Sequence, residues 1–473
     1  FINCAVLILV PMQPFFTNDA IVFGILMLLL AFVFYTSSIQ QTGWKKFYRI
    51  VPAVLMCYLL PAILHWPLGW IAYKWYTPEL AEVLTGQGLQ LPRGLSVNET
   101  NLWLQSNGLD PGEYSGYTQG SKLYFMASRY LLPASLVLLC LSIDLKGIIQ
   151  LGWRSMVMFL TATLGIVIGG PVALLITVTF FPGLIDLNPD ELWRGLSTIA
   201  GSWIGGGANQ TAMREIFEVP SGTFGQMVVV DILVGNIWLG FLLFGANMSS
   251  RIDRWLRADN SAIEELRKKV EHYSAQVRKV PTTADIFVLG GVAFGSVALA
   301  HWGADLISPF FAERKAWLAE RGLNSLASGF FWLVVISTTL GLLLSFTKLR
   351  ALEGVGASRW GSVFIYILVA TIGMQMNIGD VLSNLGLFAI GAIWMLIHVA
   401  LLLLVAYVIK APYFFVAVGS QANVGGAASA PVVASAFSPA LAPVGALMAV
   451  LGYALGTYGA LICAYLMQAA VGG

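Results

Sequence analysis

Apolar residues fall along this chain in runs of membrane-crossing length, at about residues 18–38, 48–72, 123–143, 155–180, 195–218, 224–248, 284–306, 325–347, 361–378, 384–409, 412–437 and 440–468. Each run holds roughly the 20 residues that a helix needs to span hydrocarbon, so the pattern predicts about twelve transmembrane segments. Two runs are interrupted at corresponding places in the two halves, by Gly201–Gln210 (GSWIGGGANQ) and Gly419–Ser429 (GSQANVGGAAS). A helix in lipid can unwind only where protein or a water-filled cavity satisfies the freed backbone groups. Paired interruptions therefore predict a binding site near the membrane midplane.

The polar stretches divide the chain. Tyr76–Gly120 is mildly acidic and reads as an external loop or small lid; within it Asn98-Glu-Thr matches a glycosylation sequon, a short pattern of little weight. Arg251–Lys279 carries eight Lys and Arg, with Trp255, Leu256, Ile263, Leu266 and Val270 at helical spacing, and reads as an amphipathic cytoplasmic linker. The halves resemble each other: Ala127-Ser128-Arg129 and Ala357-Ser358-Arg359 each lead into an apolar run, then a long apolar helix, a glycine-broken segment and a final helix. Duplication predicts a first transmembrane repeat at 1–248 with its external loop at 76–120, a charged linker at 249–283 and a second repeat at 284–473.

Composition fixes the class. With 58% hydrophobic and 11% charged residues and a mean hydropathy of +0.78, this is an all-α polytopic membrane protein. The net charge of +2 is spread between loops, which argues against nucleic acid as a partner. Cys4, Cys57, Cys140 and Cys463 stand singly in apolar runs and read as packing residues. Phe1–Phe16 lacks a basic n-region and reads as a leading segment, not a cleavable signal. Orientation conflicts with a simple count. Lys45, Lys46 and Arg49, then Lys146 and Arg154, place the first and third loops inside, yet twelve full crossings then put basic Arg251–Lys279 outside and make the repeats parallel. A miscounted span, a broken segment that turns back, or an unrecognised joining element would each resolve this.

The broken segments carry the candidate chemistry. Ser202, Asn209, Gln210 and Thr211 in the first, and Ser420, Gln421, Asn423 and Ser429 in the second, supply amide and hydroxyl oxygens beside backbone carbonyls that Gly205, Gly206, Gly207, Gly425 and Gly426 leave approachable. Such neutral oxygens suit a hard cation, while the N-termini of half-helices suit a substrate anion. The plainer reading is that the glycines let helices pack closely and the amides satisfy one another. Asp231 lies inside MVVVDILVGNIW, where a carboxylate costs about 2.5–3.5 kcal/mol on insertion scales. It is expected to face the protein core as a Na⁺ ligand or proton carrier, or else to bond to Asn236 or a nearby serine. Possible Na⁺ ligands are thus Asn209, Asn423 and Asp231. Asp144 and Asn377 end equivalent helices, where solvation explains them as well as a role does. Arg129 and Arg359 could receive a carboxylate or snorkel as boundary anchors. His301 and His398 read first as packing residues, and Gly452-x-x-x-Gly456 and Gly201-x-x-x-Gly205 as close-packing motifs.

Thr17–Ser37 (TNDAIVFGILMLLLAFVFYTS), Arg129–Ile148, Gly195–Ile216 and Ser420–Phe437 resemble the membrane family catalogued as domain-of-unknown-function 819, over essentially the whole chain. That family is similar to the superfamily of bile-acid and glutamate sodium symporters and sodium/proton antiporters. The resemblance implies a core domain with two crossing discontinuous helices beside a panel domain, and a homodimer built on the panel helices 18–38, 48–72, 284–306 and 325–347. It implies no substrate.

No Walker A loop, nucleophile elbow or HExxH is present, no catalytic pair stands at helical spacing, and no filter sequence suggests a channel. The expectation is a non-enzymatic, multi-pass secondary transporter of the bacterial inner membrane. It would move a small organic solute, preferably an anion such as a carboxylate, amino-acid derivative or short peptide, coupled to Na⁺ or H⁺ and without other cofactors. Sodium/proton antiport without an organic substrate is the alternative, with a channel or intramembrane enzyme behind it. The ion is expected where Gly205–Asn209 meets Gln421–Gly426.

Overall fold

The computed structural model describes residues 13–39, 41–51, 53–92, 95, 97–143, 152–185, 187–259, 281–319, 324–376, 386–438 and 441–471. Helices α1 (Asp19–Ser38), α2 (Thr42–Ile50) and α3 (Ala53–His65) come first. A small extramembrane module holds β1 (Lys74–Tyr76), α4 (Pro78–Gly86), α5 (Val97–Ser106) and β2 (Thr118–Gly120). Then follow α6 (Leu123–Leu141), α7 (Trp153–Phe180), α8 (Pro189–Ile216), α9 (Ser221–Asn247) and α10 (Ser249–Leu256). The remainder is α11 (Thr283–Ala312), α12 (Gly329–Ser345), α13 (Ala357–Gly373), α14 (Gly386–Ile409), α15 (Tyr413–Val424), α16 (Gly426–Phe437) and α17 (Ala442–Ala470).

Local chemistry sets several ends. Asn18 caps α1 by accepting from the Ala20 amide at 2.8 Å, and Thr282 with Asp285 forms a capping box at the start of α11. Along α1 the buried positions are Val22, Leu26, Leu30 and Val33, one stripe at helical spacing on an otherwise outward apolar helix, as expected of a span with one side on protein and the rest on lipid. Among the described residues seven helices are long and apolar enough to cross a membrane, and α12 with the turn that follows it, bent by 98°, gives an eighth. Apolar α3 and α13 are shorter. The chain is therefore a multi-pass membrane protein, helical throughout its apolar spans.

By packing the chain forms two units, residues 1–131 with 366–381, and residues 132–365 with 382–473, so both sequence halves contribute to each. In the first unit the Tyr48 and Thr36 hydroxyls meet at 2.6 Å, and Phe34 packs edge-on against Tyr366 at 4.6 Å. The segment expected as a loop or lid folds as a module. β1 and β2 pair antiparallel with Trp75 opposite Gln119, over a core of Tyr76, Leu80, Leu84, Leu104 and Tyr114.

The second unit holds both broken segments, and each reverses direction. In α8 the break is Gly206, at φ 73° and ψ −172°, backbone that favours glycine. A Cβ placed on Gly201 would lie 2.6 Å from the Asn209 carbonyl oxygen, although a straight helix separates residues eight apart by about 12 Å. The Trp193 and Phe217 rings, at opposite ends of α8, are 5.2 Å apart. In the second segment the turn is at Gly425–Gly426, where Gly426 has φ 56°. There Phe414 and Phe437 meet at 5.3 Å. The segments are helical hairpins, with α8 forming the first and α15–α16 the second. The expectation of discontinuous helices holds, but the expected crossing of the membrane is corrected: each segment leaves on the side it entered, because one positive-φ glycine at its tip turns the chain back.

This reversal removes the charge conflict. Arg154 at the start of α7 pairs with Asp259, just beyond α10, at 3.1 Å. Two spans, α7 and α9, lie between them, so the intervening hairpin makes no net crossing and the basic segment begins on the same side as Arg154. The hairpins enter from opposite ends of α17. Gly445, near its start, packs against the Ala430 carbonyl of the second hairpin, while Tyr465, near its end, lies 5.9 Å from Phe217 at the base of the first. Twenty residues of α17 separate these contacts, about 30 Å of rise and the thickness of a bilayer core.

Candidate functional site

Both hairpin tips converge on the middle of α17. Gly205 packs against Gly456, where a Cβ on Gly205 would come within 2.7 Å of the Gly456 Cα. A Cβ on Gly452 would lie 2.5 Å from the Ile204 carbonyl oxygen of the first hairpin and 3.5 Å from the Ala422 carbonyl oxygen of the second. The motif Gly452-x-x-x-Gly456 thus acts as the packing motif the sequence suggested, and what it admits is the pair of tips. A Cβ placed on Gly235 of α9 would lie 3.6 Å from Val424 Cγ1, so α9 runs alongside the second tip as well.

Asp231 is the charged member of this region. Ser202 Oγ donates to its Oδ2 at 2.6 Å and Gln210 Nε2 to the same oxygen at 3.0 Å, one donor from each arm of the first hairpin. Of the partners expected for Asp231, a serine is correct and Asn236 is not; Asn236 donates to its own helix at the Ile232 carbonyl, 2.7 Å. Asp231 is 8% exposed, and among the described residues no ion pair neutralises it. Two neutral hydrogen bonds on one oxygen leave a buried carboxylate short of a positive partner.

The two asparagines are differently placed. Asn209 Nδ2 donates to the carbonyls of Gly205, at 3.0 Å, and Tyr453, at 3.3 Å, and its Oδ1 accepts from Thr457 at 2.5 Å. Asn423 Nδ2 donates to the carbonyls of Gly419, at 3.0 Å, and Phe159, at 3.3 Å, and its Oδ1 accepts from Thr163 at 2.8 Å. Both are fully buried. Their bonds tie the hairpins to α17 and α7, and no hydrogen bond links Asn209, Asn423 and Asp231 to one another. Thr211 bonds within its arm, to the Gly207 carbonyl at 2.8 Å.

Ser420 sits in a chain of donors. Trp238 Nε1 donates to Ser420 Oγ at 2.8 Å, and His398 Nε2 is 2.8 Å from the same oxygen. His398 Nδ1 lies 3.1 Å from the Ala162 carbonyl, which can only accept. Nδ1 therefore carries the proton and neutral Nε2 accepts from the Ser420 hydroxyl. His398 is a satisfied packing residue, as the plainer reading held. Gln421 bridges the second hairpin, its Nε2 donating to Ser429 Oγ at 2.6 Å, while its Oε1 is buried without a partner. The residue is 2% exposed, so this oxygen is a vacant acceptor near the tip.

Other named residues lie elsewhere. Arg359 is exposed, as a snorkelling anchor would be; half-buried Arg129 occupies a π-helical turn, Ala127–Leu131, inside α6. His301 is half-buried on α11. Cys57, Cys140 and Cys463 are buried and unpaired. Cys4, Asp144, Asn377 and residues 260–280 of the basic linker lie outside the described residues. Among the described residues no cluster of three His, Cys, Asp or Glu could hold a metal. Thr163, Thr457 and Trp238 were not anticipated. Each is a polar or indole group inside an apolar run, a signal they share with residues such as Thr177 that bond only within their own helix.

The family described as "Protein of unknown function (DUF819)" matches residues 117–470. The chain belongs to the DUF819 family. The match takes in both hairpins, α9 and α17, and begins at the last strand of the extramembrane module. The chain is also similar to "Uncharacterized membrane protein YjcL" of Bacillus subtilis (strain 168), with 25% identity over 348 residues, 72% of this chain and 82% of the relative.

Proposed function

We propose that this DUF819 protein is a secondary transporter of the bacterial inner membrane. It moves a small organic solute by alternating access, coupled to Na⁺ or H⁺. The observation that carries the reading is the Asp231 carboxylate, buried in a membrane helix, bonded to both arms of the first hairpin and, among the described residues, without a cationic partner. A carboxylate so placed is stable when a cation or a proton joins it, which is what a coupling site does in each cycle. The opposed hairpins support alternating access, since a tip reached from either side gives both faces of the membrane a route to the same seat.

The α16 N-terminus at Gly426 and the second arm of the first hairpin, beginning at Gly207, present backbone N–H groups to a solute anion, which favours a carboxylate, amino-acid derivative or short peptide. The protein acts as a homodimer through helices of the 18–38, 48–72, 284–306 and 325–347 runs. Sodium/proton antiport without an organic solute is the second reading, favoured by Asp231 being a buried carboxylate bonded to both arms of the first hairpin. Uptake of labelled carboxylates and amino-acid derivatives into proteoliposomes, with Na⁺ and proton gradients imposed separately, tests the proposal. Saturable uptake driven by one gradient supports it. Cation flux with no solute uptake supports antiport, and saturable uptake indifferent to both gradients contradicts coupling.

A further inference from the structure

The strap that leads from the first half of the chain into the basic linker has two unlike faces. On α10, Leu256 is buried and Ile252 and Asp253 are half-buried, Ile252 and Leu256 packing into the core around Phe414 and Phe415. Arg251, Arg254 and Trp255 point outward, with Trp255 59% exposed. Arg257, next along the chain, is also exposed and lies over the Tyr407 ring at 5.7 Å. Trp153, 58% exposed at the start of α7, adds a second outward indole and packs against Arg154 at 5.2 Å.

The acidic groups of this strap are already engaged. Asp253 Oδ1 accepts from the Tyr413 backbone amide at 2.8 Å, capping the first turn of the second hairpin. Asp259 pairs with Arg154 and donates its own amide to the Lys410 carbonyl at 3.1 Å. Among the described residues Arg251, Arg254 and Arg257 form no ion pair. The strap thus grips the base of the second hairpin with its inner face. Its outer face turns three guanidinium groups, which have no ion pair among the described residues, and an indole to the basic side of the membrane.

We propose that this outer face is a seat for the headgroup of an anionic phospholipid, and that the bound lipid fastens the strap on the base of the second hairpin. The chemistry is complementary at each point. Guanidinium groups take phosphate oxygens bidentately, indoles prefer the headgroup level, and a short basic amphipathic helix lies in the interface with its apolar face inward. Lipid on Arg251, Arg254 and Arg257 neutralises the outer face, so α10 stays seated and Asp253 and Asp259 keep their bonds to Tyr413 and Lys410.

Purified full-length protein in mild detergent is titrated with phosphatidylglycerol or phosphatidylcholine, and binding is followed by native mass spectrometry and thermal unfolding. Phosphatidylglycerol is expected to bind and raise the unfolding midpoint, with phosphatidylcholine inert. The combined Arg251→Gln, Arg254→Gln, Arg257→Gln variant is expected to bind phosphatidylglycerol roughly 100-fold more weakly, from the contribution of three basic residues at a membrane surface. Hydrogen exchange at Tyr413 and the amides after it is expected to slow with phosphatidylglycerol in the parent, but not in Asp253→Ala, which removes the acceptor for the Tyr413 amide and keeps the arginines. Equal phosphatidylglycerol binding by the triple variant, or equal stabilisation by inorganic phosphate, overturns the seat. The same phosphatidylglycerol-dependent slowing in Asp253→Ala as in the parent overturns the fastening. Should the triple variant fail to fold, brominated phosphatidylglycerol decides the matter: it is expected to quench the parent more than Trp255→Phe, and equal quenching refutes the proposal.

Discussion

Asn209 and Asn423 carry the same set of bonds. Each amide donates to the glycine carbonyl four residues earlier and to a carbonyl of a neighbouring helix, and each oxygen accepts a threonine hydroxyl from that helix. One sits just after its hairpin tip and the other just before. Their amide protons are spent and each oxygen already has a donor, so the matched pair holds the hairpins in place.

Removing a threonine hydroxyl from this arrangement leaves a fully buried amide oxygen without its donor. Thr457→Val and Thr163→Val, nearly isosteric, are each expected to cost about 1–3 kcal/mol and to lower the midpoint measured by fluorescence-detected thermal unfolding. The concentration of Na⁺ or protons that gives half-maximal uptake stays as in the parent. A large shift in that concentration with an unchanged midpoint would show that the asparagines serve the ion.

Glycines at the tips differ from glycines on lipid-facing helices. Gly206→Ala forces a β-carbon into backbone at φ 73°, expected to cost about 1–3 kcal/mol. In Gly456→Ala the new methyl meets the Gly205 backbone and separates the first hairpin from α17, so a similar or larger loss is expected. Gly24→Ala serves as the contrast: nothing lies within 4 Å of its new methyl, and helix propensity alone predicts a gain of up to about 1 kcal/mol. Thermal unfolding of the three variants ranks them, and equal losses at all three positions would remove the packing argument.

Hairpins that turn back have a topological consequence. A cysteine at Glu218, beyond the first hairpin, is expected to label from the same side as one at Phe181, before it; a cysteine at Lys410 labels from the opposite side. Cys57, Cys140 and Cys463 are buried, and the test is made in a Cys4→Ser background. A membrane-impermeant maleimide applied to oriented vesicles reads the pattern. Opposite labelling of the Phe181 and Glu218 positions would mean that α8 crosses the membrane.

Each predicted apolar run corresponds to a helix or a hairpin, because lipid demands long apolar stretches whatever the tertiary fold. The reversals were not legible. Gly205, Gly206 and Gly207 all permit an unwound crossing as readily as a turn, and the choice rests on the backbone angles of Gly206 alone. The misfit of charge and helix count did register a turned segment as one of three remedies, and the Arg154–Asp259 pair selects it. At the site, Asp231 announced itself as a charge in an apolar run. Its partners Ser202 and Gln210 are distant from it in sequence and become neighbours only once the hairpin closes. Thr457 could not be told beforehand from Thr177, which spends its hydroxyl on the Ala173 carbonyl of its own helix.

A dimer is expected in mild detergent, with a mass by light scattering near twice the chain's 51.1 kDa. A monomer that retains full gradient-driven uptake would contradict the assignment of helices in the 18–38 and 284–306 runs as the scaffold.

Asp231 is the proposed seat of the coupling cation or proton. Asp231→Asn tests this most directly, because asparagine keeps an acceptor for Ser202 and Gln210 while removing the charge. Thermal unfolding of the parent and the variant is measured across Na⁺ concentration at fixed pH and across pH without Na⁺. The parent is expected to be stabilised by Na⁺, or by acidification if the partner is a proton. Asp231→Asn is expected to fold and to lose that response together with gradient-driven uptake. An Asp231→Asn protein that responds to the same ion with the same midpoint shift, and transports as the parent does, would contradict the account.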